Sequence, residues 1–353
     1  MASSSRRPTL ADVAARAGTS TAVVSYVVNN GPRAVAPATK QRVEQAIEEL
    51  GYRRNPIAGA LSAGHSNLVG LIVPDTANGF FGELSRHFEA EGRKRGFLTM
   101  LGNTGYDGQI SAHYISGFSD LRARGIFTMS VAQGNEISAD VPLVFIHSVP
   151  DGVSAPSVRF DDHAGAMLAV EHLIGHGFTD ILCLAGTHAG DPASLRVQGW
   201  EQAMTEAGLS TEGRVFRSSF DRVRVEADVR EVLERGDRPQ AIFATTDEQA
   251  LAVLRAAAAV GVRVPEDLAL VGFDGIREAL LGRVRLTTVR VPMEQLAAQA
   301  FDLLDSLGPA AARATAPAVA TATGAAPAPA VAPELEHLVF PGELVLGETC
   351  GCL

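Results

Sequence analysis

Residues 9–29 read TLADVAARAGTSTAVVSYVVN and decide the fold of the first part of the chain. Thr9 is placed to cap a helix, and Asp12 is placed to bond back to the capping backbone N–H, which together form a capping box. Apolar residues at spacings of three and four continue up to Gly18, a typical helix end. After a tight turn, Ser20 is placed to cap a second helix. Two short helices joined by a Gly-centred turn predict a helix-turn-helix, whose second helix enters the DNA major groove.

A third helical pattern, Pro37–Leu50, completes a small predicted core. It has proline in its first turn and glycine directly after its end. The predicted buried residues are Leu10, Val13, Ala14 and Ala17 in the first helix, Val23, Val24, Val27 and Val28 in the second, and Val43, Ala46, Ile47 and Leu50 in the third. Any capped amphipathic helices give such spacing, so the pattern alone leaves open a bundle that does not bind DNA.

Two longer motifs make the interpretation more specific. Residues 12–29 contain DVAARAG and VSYVVN, and residues 51–64 read GYRRNPIAGALSAG. On these motifs the chain resembles the LacI/GalR family of bacterial transcription regulators, from Thr9 to about Leu307 and again from near Leu338. The resemblance implies an α/β protein with a helix-turn-helix headpiece and a hinge helix. These would be joined to a two-lobed body with parallel sheets, like that of periplasmic binding proteins.

The resemblance also implies which headpiece residues contact DNA. In the family, base edges are read at the positions of Thr21, Ala22 and Tyr26. Phosphates are contacted at the positions of Thr9, Ser20, Ser25 and Asn29. Tyr26 stands where many relatives carry Arg or His, so a bidentate contact between Arg and guanine is not expected there. The operators of Arg-bearing relatives therefore do not transfer to this chain.

Residues 55–62 are too short and too rich in Ala and Gly to form a stable helix alone. The resemblance implies a hinge that folds when two copies meet in the minor groove. Leu61 matches the leucine that wedges into the central base step, Ala58 matches a small residue at the hinge contact, and Asn55 is assigned to the same surface. An apolar wedge is physically reasonable because the bend permits further contacts that offset unstacking. The alternative is a plain linker.

Charge separates the chain into two parts. The 353 residues carry a net charge of −10, but residues 1–65 contain eight Lys and Arg against four Asp and Glu. A basic head attracts phosphates, whereas an acidic body discourages non-specific wrapping of DNA. No apolar run approaches the length of a membrane span, and the first residues lack the apolar core of a secretory signal. We therefore expect a cytoplasmic bacterial protein, associated with the nucleoid when bound to DNA, with no membrane partner.

From residue 67 onward, short apolar runs alternate with amphipathic segments, which predicts repeated βα units and parallel sheets. We expect a headpiece over residues 1–54, a hinge helix and linker over 55–65, and an effector-binding and dimerisation body over 66–353. Lobe 1 is expected to take about 66–161 and 291–307, and lobe 2 about 162–290 and 336–353. Residues 308–333, with 13 Ala and 5 Pro, are expected to form a disordered insertion. The closing strand near residues 338–346 is expected to return to lobe 2.

Ligands of such sheets bind at the carboxyl ends of the strands. By position and resemblance, the candidate ligand residues are Phe81, Asp161, Arg196, Phe220, Thr246, Asp247 and Asp274. Carboxylates accept bonds from hydroxyls, and aromatic rings cover apolar C–H faces, so the set suits a sugar or related polyol. Three alternatives stay open. Phe80 and Phe220 could belong to the core, Asp247 could cap a helix, and Arg196 could pair with Asp274.

Two positions in this region depart from the family pattern. Gly79 stands where relatives usually have proline, so a looser loop is expected before Phe80. Thr246 replaces the asparagine of a family Asn-Asp pair, which would remove or shorten one amide contact to a sugar hydroxyl. The effector of a relative therefore does not transfer directly to this chain.

Patterns for catalysis and metal binding are missing from the sequence. No dinucleotide or P-loop motif occurs, and no nucleophile lies in a recognisable catalytic motif. His172 and His176 lack the glutamate spacing of a zinc protease and are interpreted as a solvated helix face. Cys350 and Cys352 form a C-x-C pair near the chain end that could bind metal or oxidise, but a lone pair of this kind is more often incidental and is interpreted so here. We therefore expect no enzyme activity, no cofactor and no metal.

The sequence thus predicts a ligand-responsive repressor that binds a palindromic operator as a homodimer, with a tetramer left open. The expected partners are double-stranded operator DNA and a small, sugar-like effector. One alternative is a solute-binding receptor of the periplasmic type, but such a receptor needs a secretory signal and has no use for a basic head. The other alternative is an enzyme built on the same body, and no motif in the sequence supports it.

Overall fold

The computed structural model describes residues 8–28, 33–53, 65–129, 141–147, 149, 155–187, 193–235, 238–307 and 337–352. The chain divides into two compact units, Met1–Ser66 and Asn67–Leu353. We call the first the head and the second the body. The predicted insertion at 308–333 lies outside the described residues.

The head contains three helices, α1 (Leu10–Ala17), α2 (Thr21–Val28) and α3 (Pro37–Leu50). The capping box predicted for α1 is present, because Thr9 N donates to Asp12 Oδ2 at 2.7 Å and Asp12 N donates to Thr9 Oγ1 at 3.3 Å. Gly18 and Gly51 end α1 and α3 in the left-handed conformation, with φ of 62° and 63°. The capping box predicted for α1 and the glycine ends predicted for α1 and α3 are thus present, whereas Ala36 before α3 gives no side-chain cap.

A small apolar core joins the three helices. Its buried members are Val13, Ala14, Ala17, Val24, Val43 and Ala46, with Leu10, Val27, Val28, Ile47, Leu50 and Tyr52 packed against them. Of the twelve positions predicted to be buried, only Val23 is missing from this cluster. The packed face of α2 is therefore the side that carries Val24, Val27 and Val28.

The body contains two sheets of six strands each, and we call the part built around each sheet a lobe. In lobe 1 the strand order is β11-β5-β4-β3-β1-β2. Its elements are β1 (Leu68–Val73), α4 (Gly79–Lys94), β2 (Leu98–Asn103), α5 (Gly108–Asp120), β3 (Gly125–Thr128), β4 (Leu143–Ile146), β5 (Ser157–Phe160) and β11 (His337–Phe340). All strand pairs in this sheet are parallel. The predicted helix-covered parallel sheet is confirmed.

Lobe 2 has the strand order β12-β10-β9-β8-β6-β7. Its elements are α6 (Asp162–Gly175), β6 (Ile181–Ala185), α7 (Ala193–Glu206), β7 (Val215–Arg217), α8 (Arg222–Glu234), β8 (Ala241–Ala244), α9 (Asp247–Ala259), β9 (Ala269–Asp274), α10 (Arg277–Leu281), β10 (Thr287–Arg290) and β12 (Glu343–Val345). After β10 the chain returns through α11 (Met293–Ser306), which packs against α4 in lobe 1. Among the described elements, the lobes are therefore linked by three crossovers: β5 to α6, β10 to α11, and β11 to β12.

The closing segment corrects one expectation. We expected residues 336–353 to belong to lobe 2, but β11 pairs in parallel with β5 at the edge of lobe 1. Only β12 pairs with β10 in lobe 2, and it does so antiparallel. Pro341 and Gly342 interrupt the apolar run between the two strands, because proline lacks the N–H that a ladder needs. The short elements β5, β7, α10 and β10 were also not predicted.

Candidate DNA-binding surface and effector cleft

The outer face of α2 carries the predicted base-reading residues Thr21, Ala22 and Tyr26 and the predicted phosphate contact Ser25. Thr21 and Ala22 are exposed, whereas Ser25 and Tyr26 are half-buried. Ser20 Oγ accepts a hydrogen bond from Val23 N at 3.3 Å, as predicted for a capping residue. The helix therefore presents one polar or small-residue face while its opposite face packs on the head core. Four predicted DNA contacts, Asn29, Asn55, Ala58 and Leu61, lie outside the described residues.

Arg196 lies at the centre of a buried charge cluster at the carboxyl ends of the lobe 2 strands. Its side chain is 3% exposed. Nε donates to Asp162 Oδ1 at 2.6 Å, and Nη1 donates to Asp274 Oδ1 at 3.0 Å and to the Thr245 carbonyl at 2.5 Å. The guanidinium also covers the ring of Phe273, with 3.8 Å between Cζ and the ring centroid. The pairing of Arg196 with Asp274 that the sequence left open is thus present.

A glycine explains how Arg196 reaches its partners. A Cβ on Gly199 would lie 2.3 Å from the carbonyl oxygen of His163 on α6. Only glycine at this position therefore lets α7 approach α6 so closely. Because Arg196 lies on the first turns of α7 and Asp162 opens α6, this close packing brings the two charges together.

Asp162, rather than the predicted Asp161, is the carboxylate that enters the cluster. His147 directly follows β4 of lobe 1, and its Nε2 lies 2.7 Å from Asp162 Oδ2. Burial opposes ionisation of Asp162, but the neighbouring charges of His147 and Arg196 hold its pKa below the ordinary value. The cluster therefore crosses from one lobe to the other. Asp161 instead caps α6, since its Oδ1 accepts from Ala164 N at 2.9 Å.

Asp247 forms a second, fully buried carboxylate site behind the first. Its Oδ2 accepts from Ile276 N at 2.9 Å, and Thr288 Oγ1 donates to its Oδ1 at 2.6 Å. Burial and the charge of Asp274 raise the pKa of Asp247 well above its ordinary value. Thr246, not Asp247, caps α9 by accepting from Gln249 N at 3.2 Å. The capping role left open for Asp247 is therefore taken by its neighbour.

Asp274 has an unusual backbone and an unusual acidity. Its φ is 120°, which is sparsely populated by residues other than glycine and costs of order 1–3 kcal/mol. Burial raises the pKa of Asp274 to about 6, although Arg196 acts in the opposite direction. Such strain and perturbed acidity are characteristic of functional sites.

These shifts predict a pH dependence of stability. An aspartate with a raised folded-state pKa holds its proton in the folded chain after the unfolded chain has lost it. Stability should therefore fall as pH rises from about 4 to about 6, by at most about 1.4 kcal/mol per pH unit for Asp274. Asp162 has the opposite sign, because its lowered pKa removes stability only as pH falls below about 4.

Denaturant titrations at several pH values would measure this effect. Asp274→Asn should flatten the slope between about pH 4 and about pH 6 relative to the wild type. Asp120→Asn, at an exposed position on α5, serves as the control and should leave the slope unchanged. If the free energy of unfolding changes with pH equally in the wild type and in Asp274→Asn, the raised pKa of Asp274 would be contradicted.

The two predicted stacking aromatics are half-buried, one in each lobe. Phe81 lies on the first turn of α4, with its ring centroid 5.2 Å from that of the buried Phe80. Phe220 follows β7, and a Cβ on Gly186 would lie 2.4 Å from its Cζ. Of the two core candidates, Phe80 is core. Phe220 keeps a partly exposed ring.

Glu248 forms a second bridge between the lobes that sequence reasoning missed. Its carboxylate is 5% exposed and Oε1 accepts from Gly79 N, the first amide of α4, at 2.8 Å. Arg222 donates to both oxygens of Glu248 and also to Glu278. In parallel, Arg277 N donates to Glu83 Oε1 at 2.5 Å. The N-terminal half of α4 is therefore bonded to lobe 2 at two points.

Comparison with known proteins agrees with this architecture. Residues 9–55 match the family described as bacterial regulatory proteins, lacI family, and residues 170–324 match the periplasmic binding protein-like domain. The transcriptional repressor PurR of Aliivibrio salmonicida is 30% identical over 303 residues, covering 84% of this chain and 91% of that protein.

Two solved structures extend the comparison. The lac repressor dimer bound to operator and the anti-inducer ONPF has a TM-score of 0.79 at 22% identity, covering 98% of this chain and 99% of that one. A complex of the transcriptional regulator CelR with cellobiose has a TM-score of 0.65 at 28% identity, covering 97% and 100%.

Within the described part of the chain, no helix is long and apolar enough to cross a membrane. The relatives are regulators of transcription rather than enzymes, in agreement with the lack of catalytic motifs. On the match of both units, the chain belongs to the lacI family of bacterial regulatory proteins and is a DNA-binding transcriptional repressor.

Proposed function

We propose that this repressor binds a palindromic operator as a homodimer and responds to a sugar or related polyol bound between the lobes of its body. The observation that carries the effector response is the buried charge cluster, because His147 of lobe 1 is bonded to Asp162 of lobe 2. A ligand that changes the spacing of the lobes must change these bonds. We therefore propose the cluster as the element whose arrangement a ligand shifts, since regulation by a ligand requires two arrangements that it binds with different affinity.

In the head, the proposed readout depends on small and hydroxyl-bearing side chains. Ala22 offers a methyl group that fits a thymine methyl, and Thr21 offers a hydroxyl to a base edge. Ser25 offers a hydroxyl to a phosphate. Tyr26 adds a half-buried ring with a polar tip. No arginine on α2 supplies a bidentate contact to guanine. We therefore propose an operator whose half-sites differ from those of Arg-bearing relatives.

In the body, the proposed effector contacts combine aromatic faces with carboxylates. Phe81 and Phe220 keep partly exposed rings, and a neighbour of the same architecture is known as a cellobiose complex. Arg196 already donates to Asp162, Asp274 and Thr245. An effector hydroxyl that reaches Arg196 therefore competes with one of these partners and rearranges the cluster. Binding and lobe arrangement are coupled by this competition, since a ligand acts through its differential affinity for the two arrangements.

The direct test measures how the full-length protein binds, at physiological salt, to the DNA upstream of its own gene. Titration against salt and against a panel of sugars and nucleosides should show tight binding with a steep salt slope, changed by one polyol. Binding that never exceeds that to random DNA would contradict the operator proposal. A response to a nucleoside but to no sugar would overturn the effector class.

The hinge gives a sharper prediction about DNA. Leu61→Ala should weaken binding to the specific operator by about tenfold or more, because the wedge that permits the DNA bend is lost. Binding to random DNA, which depends on phosphate attraction, should change little. Leu61→Met keeps a large apolar side chain and is the matched control. Equal losses of specific and random binding in Leu61→Ala would contradict the wedge.

A further inference from the structure

Four side chains with metal-binding atoms converge at the C-terminal end of the chain. His172 and His176 lie one turn apart at the end of α6, and Cys350 and Cys352 lie on the tail that follows β12. Cys352 Sγ is 3.0 Å from His176 Nε2, 3.3 Å from His172 Nε2 and 3.1 Å from Cys350 Sγ. All four ligand atoms lie within 4.8 Å of one another. The histidines therefore do not form a merely solvated helix face, because the cysteine pair lies against them.

Hydrogen bonds within the protein hold the tail, residues 346–352, in place. Thr349 is fully buried, donates from Oγ1 to the Leu270 carbonyl at 2.7 Å, and accepts from Thr287 N at 2.9 Å. Leu270 N in turn donates to the Thr349 carbonyl at 2.7 Å. The tail therefore continues the hydrogen bonding of β9 and β10, and Cys350 is held 0% exposed beside it.

The backbone between the cysteines explains how both thiols reach one point. Gly351 has a φ of 87°, in the left-handed region that favours glycine. In an extended strand, residues 350 and 352 would share one face with their Cα atoms about 7 Å apart. The left-handed conformation of Gly351 departs from such a strand, and the sulfur atoms of Cys350 and Cys352 lie 3.1 Å apart. A Cβ added at Gly351 would meet no atom within 4 Å, so the role of this glycine is conformational rather than steric.

We propose that His172, His176, Cys350 and Cys352 bind one zinc ion in a tetrahedral, structural site. Two thiolates and two imidazoles are a common ligand set of structural zinc. Bond lengths of about 2.3 Å to sulfur and about 2.0 Å to nitrogen place tetrahedral ligand atoms roughly 3.3–3.8 Å apart. The three contacts of Cys352 Sγ, at 3.0, 3.1 and 3.3 Å, would open by a few tenths of an ångström, and the widest separation, within 4.8 Å, would close by about 1 Å. Four protein ligands close the coordination sphere, which is typical of a structural rather than a catalytic site.

A further contact supports thiolate ligation. Thr287 Oγ1 lies 3.1 Å from Cys350 Sγ and donates to it, as outer-shell donors do to metal ligands. Binding of Zn²⁺ by two thiols and two neutral imidazoles releases two protons and leaves the site neutral. His176 is exposed, so the ion can enter from solvent on that side. The ion would attach the chain's last residues to the end of α6, the helix that starts at Asp162.

The first experiment measures metal content. The full-length protein is purified with reductant, without a metal-affinity tag or chelator, and then dialysed against a trace of zinc chloride. Elemental mass spectrometry should find about one zinc per chain in the wild type. Cys352→Ser and His176→Gln should lose it, whereas Cys183→Ala and His113→Gln, which lie outside the cluster, should retain it. Zinc in the wild type no higher than in Cys352→Ser would overturn the proposal.

Two further measurements test the coordination geometry of the ion and its effect on the stability of the protein. Replacement by Co²⁺ should give the intense visible bands of a tetrahedral ion and a thiolate charge-transfer band that Cys352→Ser lacks. A chelator should lower the melting temperature of the wild type by several degrees and leave that of Cys352→Ser unchanged, since an ion that binds only the folded chain stabilises it. Gly351→Ala should weaken zinc binding by roughly tenfold because of its backbone strain.

The cysteine pair has one competing chemistry, a disulfide between Cys350 and Cys352. Mass spectrometry of the unreduced, freshly purified protein distinguishes the two states. An intact mass lighter by two hydrogens, together with no zinc uptake after reduction, would overturn the metal site. Zinc uptake after reduction would support it.

Discussion

Arg196→Ala is expected to lower the free energy of unfolding by about 3–5 kcal/mol, because it leaves buried carboxylates without a cation. The side chains of Asp162 and Asp274 are 2% and 4% exposed, and neither can compensate the charge of the other. With the guanidinium gone, Asp162 keeps only His147, and the Thr245 carbonyl loses its donor at 2.5 Å. The face of Phe273 also loses the group stacked on it. Each of these losses destabilises the folded chain.

Denaturant unfolding followed by tryptophan fluorescence measures this loss in lobe 2. Trp200 is the single tryptophan of the chain, is 1% exposed and lies one turn after Arg196 on α7. Arg93→Ala is the matched control, since Arg93 and its partner Glu89 are 71% and 53% exposed. An exposed pair of this kind contributes at most about 1 kcal/mol. If Arg196→Ala lowers the free energy of unfolding no more than Arg93→Ala does, the charge cluster does not stabilise the fold.

The head could be predicted well from sequence because its structure depends on local rules. The capping pair of Thr9 and Asp12, the glycine after each of two helices, and apolar spacing define three helices and their core. In the body, the alternation of apolar and amphipathic segments predicted the sheets, and this inference needs only the period of the pattern. Arg196 was assigned to the ligand site through the family resemblance, and its pairing with Asp274 was left open as an alternative.

The features that could not be predicted from sequence depend on contacts between distant parts of the chain. His147 meets Asp162, and Gly79 meets Glu248, only because the chain crosses repeatedly between the lobes. The closing segment was misplaced because a run of apolar residues does not reveal which of two sheet edges it joins. The cluster of histidines and cysteines was missed for the same reason. For Asp162 a signal was available, because Asp162 directly follows Asp161 in the sequence, but only Asp161 was predicted to be a ligand residue.

Gly79→Pro is expected to change the equilibrium constant between bonded and separated lobes by roughly ten- to hundredfold, in favour of the separated lobes. Gly79 N–H donates to the buried carboxylate of Glu248 at 2.8 Å, and hydrogen bonds to charged groups contribute about 1.5–3 kcal/mol. Proline removes this donor without breaking α4, because it is favourable in a first helical turn. The preceding residue, Asn78, has φ of −74° and ψ of 127°, which the restriction before proline permits. The family resemblance implies proline at this position, so Gly79→Pro is also the change that restores the implied family pattern.

Hydrogen exchange separates the loss of this donor from a steric effect. In Gly79→Pro, amides of α10 and the first turn of α9 should exchange faster by about tenfold or more, while those of β8 stay unchanged. Gly79→Ala keeps the N–H but adds a Cβ that lies 3.0 Å from Glu248 Oε1 and 3.0 Å from Ile276 Cδ1, so it reports the crowding by a Cβ without the loss of the donor. If the alanine and proline variants exchange alike, crowding rather than the hydrogen bond controls the lobes. A larger effect in the proline variant would instead support the Gly79–Glu248 bond as a contact that holds the lobes together.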